Sequence, residues 1–184
     1  MMREPKLETM SFYTTRLGKG GVAVSSAGIC RVWLPGDDLS VPETACLPQD
    51  ERSDTAAEWL NLYFKGCVLP FELNVDISSL SRFYQQVLRL TMQIPYGSVT
   101  TYAALAVQAG SPRACRAAGG ALRSNPVPII IPCHRVVATS GALTGFSGPG
   151  GISMKKILLS LEGVDMNGIK TALTTTGYAQ KKYP

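Results

Sequence analysis

The sequence predicts an α+β protein in which a small strand-and-helix lobe is followed by a helical domain. Three observations predict it. Short strand-like runs separated by glycine-rich turns fill residues 11–34, and one amphipathic run follows them. Helical runs broken by short Gly- and Pro-marked turns fill residues 80–123. Charge divides along the same line: residues 1–78 carry 7 Lys/Arg and 11 Asp/Glu, whereas residues 79–184 carry 11 Lys/Arg and 2 Asp/Glu. The domain boundary is therefore placed after residue 78, giving an N-terminal lobe at 1–78, a helical domain at 79–165 and a polar tail at 166–184.

Each element has a local reason. Ser11–Leu17 and Val22–Val24 read as strands around Gly18-Lys19-Gly20-Gly21, a turn of residues that tolerate positive φ; Ile29–Leu34 reads as a third strand. Asp54–Lys65 reads as a helix, with Ser53 or Asp54 as cap, Ala56, Leu60 and Phe64 at period four, and Gly66 as stop. Leu80–Met92 places Leu80, Phe83, Tyr84, Val87, Leu88 and Thr91 on one face, capped by Ser78 or Ser79. Thr100–Ala109 is the next helix and ends at Gly110. Ser111-Pro112 opens a third, which runs to about Arg123. The last pair forms a helix-turn-helix pattern, and its second helix carries Arg113, Arg116 and Arg123. The adjacent Gly119 and Gly120 in that helix cost about 1 kcal/mol each relative to Ala, so close approach by another helix or by a sugar-phosphate surface must offset them. A short apolar strand after Pro126, a strand at Val136–Ala138, a glycine-rich loop at 139–151 and a helix at Ser153–Leu161 complete the chain.

Composition excludes several classes. Apolar residues make up 45% and charged residues 17% of the 184 positions, a globular balance. The longest apolar stretch, around Ile129-Ile130-Ile131, is far too short to cross a bilayer, and the first residues resemble neither a secretory nor a transit signal. The expected location is the cytoplasm, or the nucleus in a eukaryote. Five cysteines without C-x-x-C spacing argue against a disulfide framework and against a paired-thiol zinc site. The net charge of +5, concentrated in the second domain, points to a polyanionic partner.

The residues with reactive chemistry cluster at Pro132-Cys133-His134-Arg135. A thiol becomes nucleophilic as the thiolate, which needs positive charge or a base nearby. Alone, Cys133 reads as an inert buried thiol and His134 as a core histidine; together, beside Arg135, they read as a nucleophile and its base. Neighbours on a strand face opposite ways, so contact between them requires a turn or a bridging water. Glu162 and Asp165 are the acids able to orient the imidazole, and the choice falls on Glu162 at the end of the last helix.

The block Asn125-Pro126-Val127-Pro128-Ile129-Ile130-Ile131-Pro132-Cys133-His134-Arg135-Val136-Val137 resembles the active-site block of the O6-alkylguanine-DNA alkyltransferases, also called methylated-DNA–protein-cysteine methyltransferases. The resemblance extends from about Leu80 to Gly163 and includes Ile94-Pro95-Tyr96-Gly97, Thr101-Tyr102 and Arg116-Ala117-Ala118-Gly119-Gly120-Ala121. It implies a ribonuclease H-like N-terminal lobe and a winged-helix-like DNA-binding domain. It also implies repair of double-stranded DNA: the alkyl group of O6-alkylguanine, with O4-alkylthymine as a second candidate lesion, passes to Cys133 once per molecule. In that family pattern His134, backed by Glu162 and acting through a water, takes the thiol proton, and Tyr102 donates to the flipped base. Asn125 braces the active-site turn, the main chain of Cys133 and Val136 reads the guanine amino group, and Ser147 meets the substituted oxygen beside the aromatic wall of Phe146. Arg116 enters the base stack, while Arg113, Ala117, Gly119, Arg123 and Arg135 meet the DNA. No cofactor, metal or obligate protein partner is implied, and a monomer is expected. Two departures stand out: Phe146 replaces a tyrosine common in the family, and the loop at 147–151 is longer. The alternative reading is a non-reactive lesion-binding relative, which lacks the acceptor thiol that Cys133 provides.

Overall fold

The computed structural model describes residues 4–40, 47–68, 70–166 and 168–169. Cys46 and the predicted tail beyond residue 169 lie outside them. Two compact units emerge: residues 1–81 with 126–130, and residues 82–125 with 131–184. The segment Pro126–Ile130 thus counts with the first unit, although the linear reading placed it in the second domain.

In the first unit, β1 (Thr9–Thr15), β2 (Gly18–Ser25) and β3 (Gly28–Trp33) form an antiparallel sheet in that order. The predicted glycine turn is displaced: Arg16 and Leu17 turn the chain, and Gly20 and Gly21 lie inside β2. Gly20 is needed there, because a Cβ would stand 2.3 Å from Cζ of Tyr13. The Tyr13 ring crosses the strand so that its hydroxyl donates to the Trp33 carbonyl at 2.8 Å. Helix α1 (Glu51–Phe64) packs on the sheet and begins three residues earlier than predicted. Asp50, not Ser53, is its cap; Ser53 closes the capping box by accepting from the Asp50 N–H.

The second unit contains α2 (Arg82–Met92), β4 (Thr100–Thr101), α3 (Tyr102–Gln108), α4 (Cys115–Arg123), β5 (Val136–Val137) and α5 (Ile152–Leu161). Helix α2 starts at Arg82 because Ser78, a predicted cap, instead bonds the Asp76 carboxylate through its N–H and hydroxyl. The start of the predicted Thr100 helix is divided in two. Thr100 and Thr101 pair in parallel with Val136 and Val137, and the Thr101 hydroxyl caps α3 by accepting from Ala104 N–H. That pairing sets Tyr102 beside the segment that carries Cys133. Helix α4 begins only at Cys115, so Arg113 lies in the preceding turn and not on the helix.

The predicted apolar strand after Pro126 is a turn. Pro126 and Pro128 have no N–H to give to a ladder, and Ile129 adopts φ 74°, a costly conformation for a β-branched residue. Within the first unit the Val32 N–H donates to the Pro126 carbonyl.

Candidate active site

Directly after Pro132 the chain makes one 3-10 turn, Cys133–Arg135, closed by Arg135 N–H to the Pro132 carbonyl at 2.9 Å. This supplies the reversal that adjacent Cys and His need. Cys133 sits at the floor of a cavity of about 780 Å³. One wall is α4, through Arg116, Gly119, Gly120, Leu122 and Arg123; the facing wall is Tyr102 with the loop Thr144–Ser147. The two glycines of α4 have different reasons. A Cβ on Gly120 would come within 2.7 Å of the Tyr84 hydroxyl of α2, so helix packing accounts for it. At Gly119 a Cβ would meet nothing closer than the Tyr102 ring at 3.9 Å, so no internal packing excludes a side chain there.

His134 and Glu162 are both buried, and His134 Nε2 lies 2.7 Å from Glu162 Oε1. Glu162 also accepts two bonds from Arg135, at 2.8 Å each, and one from the Gly97 N–H. Burial alone would raise the Glu162 carboxyl, but His134 and Arg135 outweigh it and hold the group at about 2. Burial lowers His134 below its ordinary value against the pull of Glu162, which favours the neutral imidazole that a base requires. Burial pushes the Cys133 thiol up; the Asn125 side chain and the charge of Lys155 pull it down, joined by backbone N–H groups. Asn125 also ties the turn together, its Nδ2 donating to the Ile131 carbonyl at 2.8 Å.

The structure alters several sequence expectations. Arg135 was expected to meet DNA, yet it is buried, with its guanidinium committed to Glu162 and to the Ile94 carbonyl at 2.6 Å. The Val136 carbonyl, expected to read a base, accepts from Lys155 Nζ at 2.6 Å. The Tyr102 hydroxyl donates to the Thr144 carbonyl at 2.8 Å. Ser147 lines the cavity and its hydroxyl donates to the Arg123 carbonyl at 3.3 Å. Arg116, Arg123 and Ala117 are exposed on α4, and Phe146 forms part of the loop wall.

Lys155 is the residue that sequence reading missed. It is fully buried, and its ammonium reaches the carbonyls of Val136, Thr144 and Gly145. A signal was present: Lys155, Leu158, Leu159 and Glu162 recur at positions i, i+3, i+4 and i+7, which places the lysine on the buried face of α5.

Residues 82–164 match the family described as 6-O-methylguanine DNA methyltransferase, DNA binding domain. The human methylated-DNA–protein-cysteine methyltransferase is 39% identical over 162 residues, covering 80% of this chain and 76% of that protein. This chain belongs to the methylated-DNA–protein-cysteine methyltransferase family. The Mycobacterium bovis member is 44% identical over 107 residues, a stretch that spans 58% of this chain and 63% of the relative. The crystal structure of Mycobacterium tuberculosis OGT in complex with DNA superposes with a TM-score of 0.71 at 32% identity, covering 88% of this chain and 98% of that one. Within the family-matched region lie Cys133, His134 and Glu162; His134 and Glu162 share a buried hydrogen bond, and Cys133 is joined to them through the 3-10 turn it shares with His134. Among the described residues no cluster of His, Cys, Asp or Glu is suited to a metal ion, and no helix is long and apolar enough to cross a membrane.

Proposed function

We propose that this chain repairs DNA by moving the alkyl group of O6-alkylguanine onto Cys133, once per molecule. The observation that carries the reading is the placement of the Cys133 thiol at the floor of a cavity walled by the arginine-bearing helix α4. A lesion at a base edge inside a duplex cannot meet a recessed thiol, so the nucleotide must leave the stack. Arg116, at the exposed mouth of the cavity, is long enough to fill the gap, and Ala117 and Gly119 let α4 approach a minor groove closely. Arg123 at the end of α4 and Arg113 in the preceding turn add phosphate contacts. The strands with α1 act as a ribonuclease H-like lobe, and the second unit acts as a winged-helix-like reader of double-stranded DNA.

In the reaction, neutral His134 accepts the thiol proton through a water, with Glu162 orienting the ring. The sulfur attacks the alkyl carbon in line; the S–C bond forms and the C–O6 bond breaks. Tyr102 leaves the Thr144 carbonyl and donates to the departing guanine. The proton held by His134 then returns through water to Tyr102, so the net change is a thiol converted to a thioether and one proton gained by guanine. No residue in the cavity is equipped to cleave a thioether, so the protein is consumed. O4-alkylthymine, presented in the same cavity, is the second candidate lesion. The chemistry calls for no cofactor or metal, and the chain acts as a monomer without an obligate protein partner in the cytoplasm or nucleus.

The test is a single-turnover assay with a duplex carrying one O6-methylguanine. Restored guanine should stop at one per protein molecule, and binding should weaken steeply with salt through counterion release. Continued turnover, or repair insensitive to salt, contradicts the reading.

A further inference from the structure

The loop wall of the cavity is tied down at three places. At one end the Tyr102 hydroxyl donates to the Thr144 carbonyl at 2.8 Å. At the other, Gly148–Gly151 makes a tight turn, closed by Gly151 N–H to the Gly148 carbonyl at 3.0 Å. Pro149 takes the second position of that turn and Gly150, at φ 72°, the third, which is the type II pattern. Between these two ties stands Ser147, and its hydroxyl donates to the Arg123 carbonyl at 3.3 Å. The first two ties lie on the loop side of the cavity, whereas the third crosses to α4.

The crossing bond has a ready acceptor. Arg123 is the last residue of α4, and a helix leaves its last four carbonyls without an internal partner. Ser147 satisfies one of them from the opposite wall. The residue before each member of the pair, Leu122 on α4 and Phe146 on the loop, lines the cavity with an apolar side chain. The bond therefore fixes the separation of the two walls beside their apolar lining. Anything wider than that separation must lift the loop away from α4 and break the bond.

We propose that the Ser147 hydroxyl is a specificity-determining strap: by holding the loop wall to the end of α4, it favours small alkyl groups over bulky ones. The proposal rests on the alkyl-transfer reading for DNA, but its second half concerns access to the thiol alone. The covalent step is the same for every group: the S–C bond forms, the C–O6 bond breaks with its electron pair going to guanine, and the thiol loses one proton while guanine gains one.

Two ratios test it, each read in wild type, Ser147→Ala and Ser147→Thr. The first compares single-turnover transfer from duplexes bearing O6-benzylguanine and O6-methylguanine. The second needs no DNA: it compares alkylation of Cys133 by N-phenyliodoacetamide with that by iodoacetamide, followed on the Cys133 peptide, sulfur displacing iodide in both. Loss of one neutral hydrogen bond should raise both bulky-to-small ratios by ~5-fold in Ser147→Ala. Ser147→Thr keeps the hydroxyl and should keep the wild-type ratios. A bond that only stabilises the loop would change the two rates of a pair together and leave their ratio where it was. Unchanged ratios in Ser147→Ala overturn the proposal, and so does an equal rise in Ser147→Thr. If wild-type protein takes no alkyl group from either duplex, the alkyl-transfer reading fails, while the iodoacetamide pair still decides the strap. Ser147 is exposed, so both substitutions leave the core intact.

Discussion

Arg135 and Glu162 are joined by two parallel hydrogen bonds, Nε to Oε2 and Nη2 to Oε1, each 2.8 Å long. His134 shares Oε1 at 2.7 Å. The carboxylate therefore has two duties: it neutralises a buried guanidinium and orients the imidazole. Glu162→Gln keeps the shape but leaves Arg135 without its counter-charge. Removing one partner of such a buried pair costs ~3–5 kcal/mol. Urea unfolding should show a loss of that size, well beyond what loss of the His134 contact alone would cause.

The same pair sets an acid limit. The Glu162 carboxyl is held at about 2 in the folded protein, against an ordinary value of 4.5. Its folded pKa is depressed, so its contribution is complete above the unfolded value and fades as pH falls from 4.5 towards about 2. The stability gap between wild type and Glu162→Gln, measured by urea midpoints, should narrow across that window. A constant gap would show that the shift is not coupled to folding.

On the proposed mechanism His134→Gln removes the base while leaving Cys133 and the exposed face of α4 in place. Transfer at neutral pH should slow by ~10²-fold or more, with duplex affinity unchanged. Single-turnover kinetics and a binding titration on the same preparation check both halves of this expectation.

Gly119 and Gly120 should respond in opposite ways to alanine. A helical Gly→Ala change gains up to ~1 kcal/mol. At position 119 the new Cβ meets only the Tyr102 ring at 3.9 Å, so Gly119→Ala should raise the melting temperature while weakening binding to duplex DNA. At position 120 the Tyr84 hydroxyl, 2.7 Å from the new Cβ, must move, so Gly120→Ala should lose that gain. Thermal melts of both variants, with a binding titration of the first, decide it.

Arg116 lines the cavity mouth but makes no bond to the Glu162 network. Arg116→Ala should slow transfer from duplex DNA and leave Cys133 reactivity towards iodoacetamide unchanged. A parallel fall in both rates would place Arg116 in the chemistry and not in base extrusion.

The sequence made the reactive centre legible where residue chemistry is local. Cys133 and His134 adjoin, Pro132 signals the turn, and Glu162 was one of two acids available in the second domain. Helix α2 was legible from its apolar periodicity, and the end of α4 near Arg123 was legible although its start was placed at Ser111-Pro112 and not at Cys115. What escaped depends on contacts between distant segments. Arg135 was counted among the DNA contacts because nothing local shows that Glu162 and Ile94 claim its donors. The Thr100–Thr101 pairing with Val136–Val137 is a long-range parallel match, invisible to period counting. The run of three isoleucines reads as a strand on β-propensity, yet the flanking prolines and the positive φ of Ile129 bend it. Lys155 was overlooked because a lysine beside a second lysine is usually solvated, and three carbonyls overrode that expectation.

Intact-mass measurement with peptide mapping, after mixing the protein with an equimolar duplex bearing one O6-methylguanine, is the most direct test. One methyl group should appear on the peptide that contains Cys133, matched by an equal loss of lesion, and a second portion of DNA should add nothing. Unmodified protein that nevertheless retains the DNA, or a methyl group on Cys30, Cys67 or Cys115 instead, would contradict Cys133 as the acceptor.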